Sequence, residues 1–286
     1  MSHTTRRPLE LVVLSDLHLG TYGCHANELL QYLRSIQPER LVLNGDIIDI
    51  WQFKKRFWPR DHTRVIRELL NFITNGTEVY YITGNHDELM RRFSGFEVQN
   101  FQIVNKLVLE LDNHKKAWIF HGDVFDITMK YSVWLAKLGA VGYDMLIYLN
   151  RFVNKLMEKM GRGKISLSKR IKNSVKSAVK FISDFEDTAA SIAIENHFDY
   201  VVCGHIHQPV IQTMHNVNGY VEYLNAGDWV ENLTALEYHN GQWKLFEYNE
   251  ADLKHQKMSS SGHLEETLTL NNSQLFNKVV QEFSIF

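Results

Sequence analysis

Five short runs, residues 9–15, 40–43, 79–83, 117–120 and 200–203, are apolar at nearly every position and stop abruptly at Gly, Asn, Asp or His. Unbroken apolarity marks strands covered on both faces, whereas a half-exposed strand alternates. Segments 25–36 and 62–74 carry apolar residues at helical spacing between the first three runs. Strand, helix, strand in that order predicts inner strands of a layered α/β sheet. Residues 220–224, 233–238 and 243–248 read as three closely spaced further strands with polar turns such as Asn240-Gly241. The pattern as a whole predicts a two-sheet α/β sandwich.

The rhythm breaks once, where about seventy residues without strand character separate the fourth run from the fifth. Between residues 166 and 196, Leu167, Ile171, Val175, Val179, Ile182, Phe185, Ala189 and Ile192 follow one another at steps of three or four. This predicts one long amphipathic helix, with Lys169, Arg170, Lys172, Lys176 and Lys180 on the opposite side. Residues 130–160 are also helical in period and dense in Trp, Tyr, Leu and Met, with Gly161-Arg162-Gly163 as the break between the two helical stretches. Residues 127–197 therefore read as a helical insertion within a single domain spanning 1–286, and residues 259–286 as a flexible C-terminal tail.

Composition narrows the class. With 286 residues, 44% hydrophobic and 22% charged, the chain is neither a disordered polypeptide nor a disulfide-stapled mini-protein. Two cysteines, Cys24 and Cys203, and no apolar stretch of roughly 20 residues predict a reducing, cytosolic address without signal peptide or membrane span. The net charge of −2 conceals an asymmetry: residues 150–180 hold ten Lys/Arg against Glu158 alone, a local +9 that leaves −11 for the remainder.

Each of the five apolar runs ends in potential metal ligands: Asp16-Leu17-His18, Gly45-Asp46, Gly84-Asn85-His86-Asp87, His121-Gly122-Asp123 and Gly204-His205-Ile206-His207. Loops beyond the carboxyl ends of strands converge on one crevice in an α/β sheet, so these groups are predicted to meet. Positions i and i+2 of an extended segment point the same way, which would aim Asp16 with His18, and His205 with His207, into one volume. Carboxylate, imidazole and carboxamide without thiolate suit Mn²⁺, Fe or Zn²⁺. The seven candidates, Asp16, His18, Asp46, Asn85, His121, His205 and His207, exceed what one tetrahedral ion needs and match two ions. Asp49, Asp123 and Asp126 read equally well as ordinary turn caps, and the turn Asn225-Ala226-Gly227-Asp228-Trp229 is explained as well by a strand end as by the site.

In order and spacing these five elements resemble the signature of the calcineurin-like metallophosphoesterases, over residues 11–207. The resemblance implies an α/β/β/α sandwich and two divalent ions, Mn²⁺ foremost with Fe or Zn²⁺ as alternatives. It assigns Asp16, His18 and His207 to one ion, Asn85, His121 and His205 to the other, and Asp46 to both. His86 would then stabilise the phosphoryl group or protonate the leaving oxygen, with Asp87 holding its imidazole in the required tautomer. Such a site fixes the reaction as hydrolysis of a phosphate ester or anhydride and leaves the substrate open.

The segment from Gly45 to Trp51, the helical insertion and the late Gly-Asp-Trp turn are further similar to UDP-2,3-diacylglucosamine hydrolases. That likeness implies a peripheral enzyme at the cytoplasmic face of the bacterial inner membrane, cleaving a nucleotide-sugar lipid to UMP and a lipid monophosphate. The insertion would face the lipid and the anionic membrane surface, with Lys172, Lys176 and Lys180 as substrate-binding candidates. Those hydrolases carry Arg where this chain has His86. The alternatives are a soluble phosphodiesterase or phosphatase acting on cyclic nucleotides, nucleic acid or other phosphoesters, with nucleic acid the less expected partner, and a non-catalytic scaffold with a structural metal.

Overall fold

The computed structural model describes residues 6–50, 57–125 and 167–249, the side chains of 113 and 167–178 excepted. The described residues from 6 to 248 form one compact unit. Trp51, Asp126, the helical stretch 130–160 and the tail 259–286 lie outside the described residues.

The first three apolar runs become β1 (Arg7–Leu14), β2 (Ile36–Asn44) and β3 (Glu78–Ile82), joined by α1 (Ala26–Ser35) and α2 (Arg60–Thr74). The next elements are β4 (Glu97–Val98), β5 (Phe101–Val104), β6 (Leu107–Glu110) and β7 (Lys116–Ile119). The long helix is α3 (Leu167–Glu195), followed by β8 (Tyr200–Cys203), β9 (Val210–Asn216), β10 (Gly219–Asn225), β11 (Thr234–His239) and β12 (Gln242–Glu247). They assemble two sheets, one of seven strands in the order β12-β11-β1-β2-β3-β5-β4, the other of five in the order β6-β7-β8-β10-β9.

The inner strands are parallel, as their continuous apolarity predicts: β1, β2, β3 and β5 in the first sheet, and β7, β8 and β10 in the second. Antiparallel strands close the edges. Along β1 the two faces serve different layers. Val12 and Leu14 pack with Leu29, Leu33, Val65 and Phe72 of α1 and α2. Leu11 and Val13 pack with Val42 and Ile82 against Ala117, Ile119, Val202 and Leu224 of the other sheet. A third apolar layer, Phe185, Ala189, Ala190 and Ala193 with Val201, Val221 and Tyr223, seats α3 on the outer face of the second sheet. The layers run helix, sheet, sheet, helix.

The three late strands divide between the sheets: β10 pairs parallel with β8 in the second, and β11 and β12 form a hairpin in the first. One expectation needs amending. In α3 the buried face is carried by Phe185, Ala189, Ala190 and Ala193, whereas Val179 is 61% exposed. Among the described side chains the helix rests on the sheet through its C-terminal half, so an apolar position toward the other end finds no layer to cover it.

Candidate metal centre

All five ligand motifs lie just beyond the carboxyl ends of parallel strands: those at Asp16, Asp46 and Asn85 follow β1, β2 and β3, and those at His121 and His205 follow β7 and β8. The two sheets therefore deliver their strand ends to one crevice, in the manner expected of open α/β sheets. Backbone bonds stitch the loops into one unit, with His18 N–H donating to Asp46 O at 2.9 Å, Gly204 N–H to His121 O at 3.0 Å and Ile50 N–H to His86 O at 3.1 Å.

The device that aims the side chains is not extended alternation. Asp16, His18, Asp46, His205 and His207 all have positive φ, at 53°, 48°, 54°, 67° and 53°. Non-glycine residues occupy this region at a cost of about 1–3 kcal/mol each, and such strain concentrates where a site is over-determined by its surroundings. Glycine supplies the remaining room: a Cβ at Gly45 would overlap the His121 ring, and one at Gly84 would overlap the Asp46 carboxylate.

Two triads of ligand atoms form, each with all members within 4.8 Å of one another: Asp16, His18 and His207, and Asp46, His121 and His205. Asp46 also belongs to a third group, with His18 and His86, and so stands between the two triads. Three imidazoles present themselves in the same way. His121 sets Nδ1 2.9 Å from Asn44 O and leaves Nε2 3.4 Å from Asp46 Oδ2. His18 sets Nδ1 3.3 Å from Asp49 Oδ2. His207 turns Nε2 toward Asp16 Oδ1, 3.1 Å away, and Nδ1 toward Asp228 Oδ2, 3.6 Å away. Ser15 Oγ donates to the other Asp16 oxygen at 2.5 Å.

This donor set fits divalent cations. His18 Nε2, Asn85 Oδ1 and His121 Nε2 are buried, with no hydrogen-bond partner among the described residues. Buried lone pairs left in this way are costly unless a cation meets them. Electrostatics agree. Burial alone would raise the Asp16 carboxyl, yet the imidazoles of His207, His121 and His18 hold it below the usual carboxylate range. Burial opposes charge on His207, but Asp16 and Asp228 outweigh it and push the imidazole up to about 9. His121 is likewise raised well above its ordinary value by Asp46 and Asp16, against its burial. The crevice favours positive charge.

His86 lies at the edge of the cluster, half-buried, with Nε2 4.0 Å from Asp46 Oδ2. Its orientation corrects one expectation. Asp87 does not hold the imidazole: its carboxylate accepts from the backbone N–H groups of Gly84 and Ile47, at 2.6 and 2.9 Å, and from Tyr81 Oη at 2.6 Å. Asp87 thus shapes the turn that carries Asn85 and His86. The carboxylate facing His86 Nδ1, at 2.9 Å, belongs to buried Asp49, which also faces His18. The turn-cap reading of Asp49 therefore fails. Its sequence signal was the spacing, three residues beyond Asp46 on a loop bound to the His18 loop through Asp49 N–H and Leu19 O at 2.9 Å. Asp123, in contrast, pairs with Arg91 at the rim.

Of the substrate-binding candidates, Lys172, Lys176 and Lys180 all lie on α3; Lys180 is exposed, and the side chains of the other two are outside the described residues. The turn at 225–229 does belong to the crevice, since Trp229 N–H donates to Asp16 O at 3.1 Å. Among the described residues no helix is long and apolar enough to cross a membrane.

A sequence model of calcineurin-like phosphoesterases matches residues 9–209. The chain is also similar to the UDP-2,3-diacylglucosamine hydrolase of Aliivibrio fischeri (strain MJ11), with 23% identity over 244 residues, 83% of this chain and 98% of that enzyme. The UDP-2,3-diacylglucosamine hydrolase of Blochmanniella pennsylvanica (strain BPEN) is 22% identical over 219 residues, 72% of this chain and 82% of that enzyme.

Proposed function

The chain belongs to the calcineurin-like phosphoesterase family and is a metal-dependent phosphoester hydrolase; from that premise we propose that it cleaves the pyrophosphate bond of a UDP-2,3-diacylglucosamine-like nucleotide-sugar lipid. Water adds to one phosphorus, the bridging P–O bond breaks, and UMP and a lipid monophosphate leave. The observation that carries this reading is the likeness to UDP-2,3-diacylglucosamine hydrolases across 98% of the Aliivibrio enzyme's length, so that it includes more than the metal motifs.

In this reading Asp16, His18 and His207 hold one divalent ion, Asn85, His121 and His205 hold the other, and Asp46 contributes to both. Mn²⁺ is the first choice, with Fe or Zn²⁺ as alternatives. Two such ions supply charge neutralisation at the phosphate oxygens and at the attacking and leaving oxygens. The chain supplies orientation and a proton. His86 Nδ1 is engaged by Asp49, which leaves Nε2 to face the crevice. Burial disfavours the charged ring, but Asp49 and Asp46 more than offset this and raise its pKa. In this role His86 donates a proton from Nε2 to the leaving oxygen, and Asp49 acts through it as a positioning residue. Exposed Lys180, with the lysines that precede it in the α3 sequence, supports contact with an anionic, lipid-bearing substrate at the cytoplasmic membrane face.

The test is a substrate panel with Mn²⁺ present: UDP-2,3-diacylglucosamine, cyclic nucleotides and short single strands. Release of UMP from the acylated substrate is expected. Turnover of the soluble substrates alone would favour the second reading, a soluble phosphodiesterase, with His86 as its proton donor.

A further inference from the structure

The Gly227-Asp228-Trp229 turn has no part in the chemistry described so far, yet it is built into the crevice. Its Asp228 is fully buried and faces His207 Nδ1 from Oδ2 at 3.6 Å, while the opposite ring nitrogen, Nε2, faces Asp16 Oδ1 at 3.1 Å. We propose that Asp228 is a positioning residue that keeps the His207 proton on Nδ1 and thereby presents Nε2, as a lone pair, to the metal position shared with Asp16 and His18. The inference rests on His207 being a metal ligand, as proposed above.

Three observations carry it. First, a neutral imidazole can ligate only through the nitrogen without the proton, and a carboxylate beside one nitrogen fixes the proton there and raises the basicity of the other. Second, Asp228 is itself immobilised. Its Oδ1 accepts from the N–H groups of Val230, Glu231 and Asn232 at 2.7, 2.5 and 3.4 Å, and its Oδ2 accepts from Asn232 Nδ2 at 2.5 Å. The same Asn232 amide donates to His207 O at 3.0 Å, so one side chain holds the carboxylate and the histidine backbone in register. Third, the turn is tied to both sides of the site, through Trp229 N–H to Asp16 O at 3.1 Å and Asn225 Nδ2 to Gly204 O at 2.9 Å. His18 and His121 follow the same rule with Asp49 and the Asn44 carbonyl at their Nδ1 atoms, so Asp228 completes a set.

Asp228→Asn is the discriminating variant. Its Oδ1 still serves the three backbone amides, while the charge is gone and the atom facing His207 Nδ1 becomes an N–H donor, which favours the wrong tautomer and also gives up the Asn232 amide. In a calorimetric Mn²⁺ titration of the full chain, one of two ions should bind about 10- to 100-fold more weakly and the other within about twofold of wild type. Equal weakening of both ions accompanied by a lower melting temperature would make Asp228 a merely structural turn residue, and no change in either would remove its role altogether. A second measurement needs no variant: ¹⁵N spectra of the Zn²⁺-loaded wild type should show His207 protonated at Nδ1. A His207 bound through Nδ1 would overturn the proposal. In parallel, His207→Ala should lose the same ion that Asp228→Asn weakens; retention of both ions would show that the ligand assignment, rather than Asp228, is at fault.

Discussion

The crevice and the basic helix differ in how completely the rest of the chain determines them. At the crevice five site residues are held at positive φ, two sheets contribute loops, and backbone bonds join those loops to one another. Among the described side chains of helix α3, Phe185, Ala189, Ala190, Ala193 and Ile194 are buried against the sheet, while Val179 and Lys180 face solvent. Phe185 is also where the regions meet, since it packs against Gly122 and lies 6.4 Å, ring to ring, from His205. The contrast teaches that the geometry of the metal centre is set by the strand ends, whereas the described part of α3 touches that centre only through Phe185.

The predictions separate the two regions by size of effect. The largest belongs to the crevice: His86→Ala should lower kcat by about 10²–10⁴-fold with metal content unchanged, measured by steady-state kinetics alongside metal analysis. Loss of metal together with activity would move His86 from proton donor to ligand.

Next comes pH. His207 in the metal-free protein is raised from 6.5 to about 9, so a proton must leave before a cation can bind there. Mn²⁺ affinity should therefore fall by about tenfold per pH unit below about pH 9, and more steeply where further ligands take up protons. The stability that this protonated histidine contributes to the metal-free fold is present below pH 6.5 and lost as pH rises through about 9. Melting curves without metal should show that decline and curves with Mn²⁺ should not; pH-independent metal binding would break the account of the His207–Asp16 pair. The smallest effect is at the periphery: Lys180→Glu should weaken sedimentation with anionic vesicles by about fivefold, the equivalent of ~1 kcal/mol, without altering turnover of a soluble phosphodiester. Salt-insensitive vesicle binding would return the lysines to a solvated face.

The same contrast governs what was legible in the sequence. Parallel inner strands were readable because β1, β2, β3 and β8 are apolar on both faces, and the ligands because each sits where such a run stops. Strands β4, β5, β6 and β9 were missed: the first three are two to four residues long and end at no ligand motif, and β9, VIQTMHN, mixes apolar and polar positions at a sheet edge. Which sheet β10 joins was not readable, because adjacency in sequence does not say so. Assigning the histidine partner to Asp87 failed for a related reason. Asp87 is next to His86 in sequence, but the turn consumes its oxygens on Gly84, Ile47 and Tyr81, and the partner, Asp49, arrives from another loop. Positive φ at Asp16 and His207 left no trace in composition, since it is imposed by bonds between loops that only the folded chain brings together.

The central claim is that this cluster works with two divalent ions. Its most direct test is to strip the protein with a chelator and titrate Mn²⁺ back while following both bound metal and phosphoester hydrolysis. Activity should be absent in the stripped protein and should return only as the second equivalent binds. Full turnover in the chelated protein, or complete recovery with a single equivalent, would contradict it.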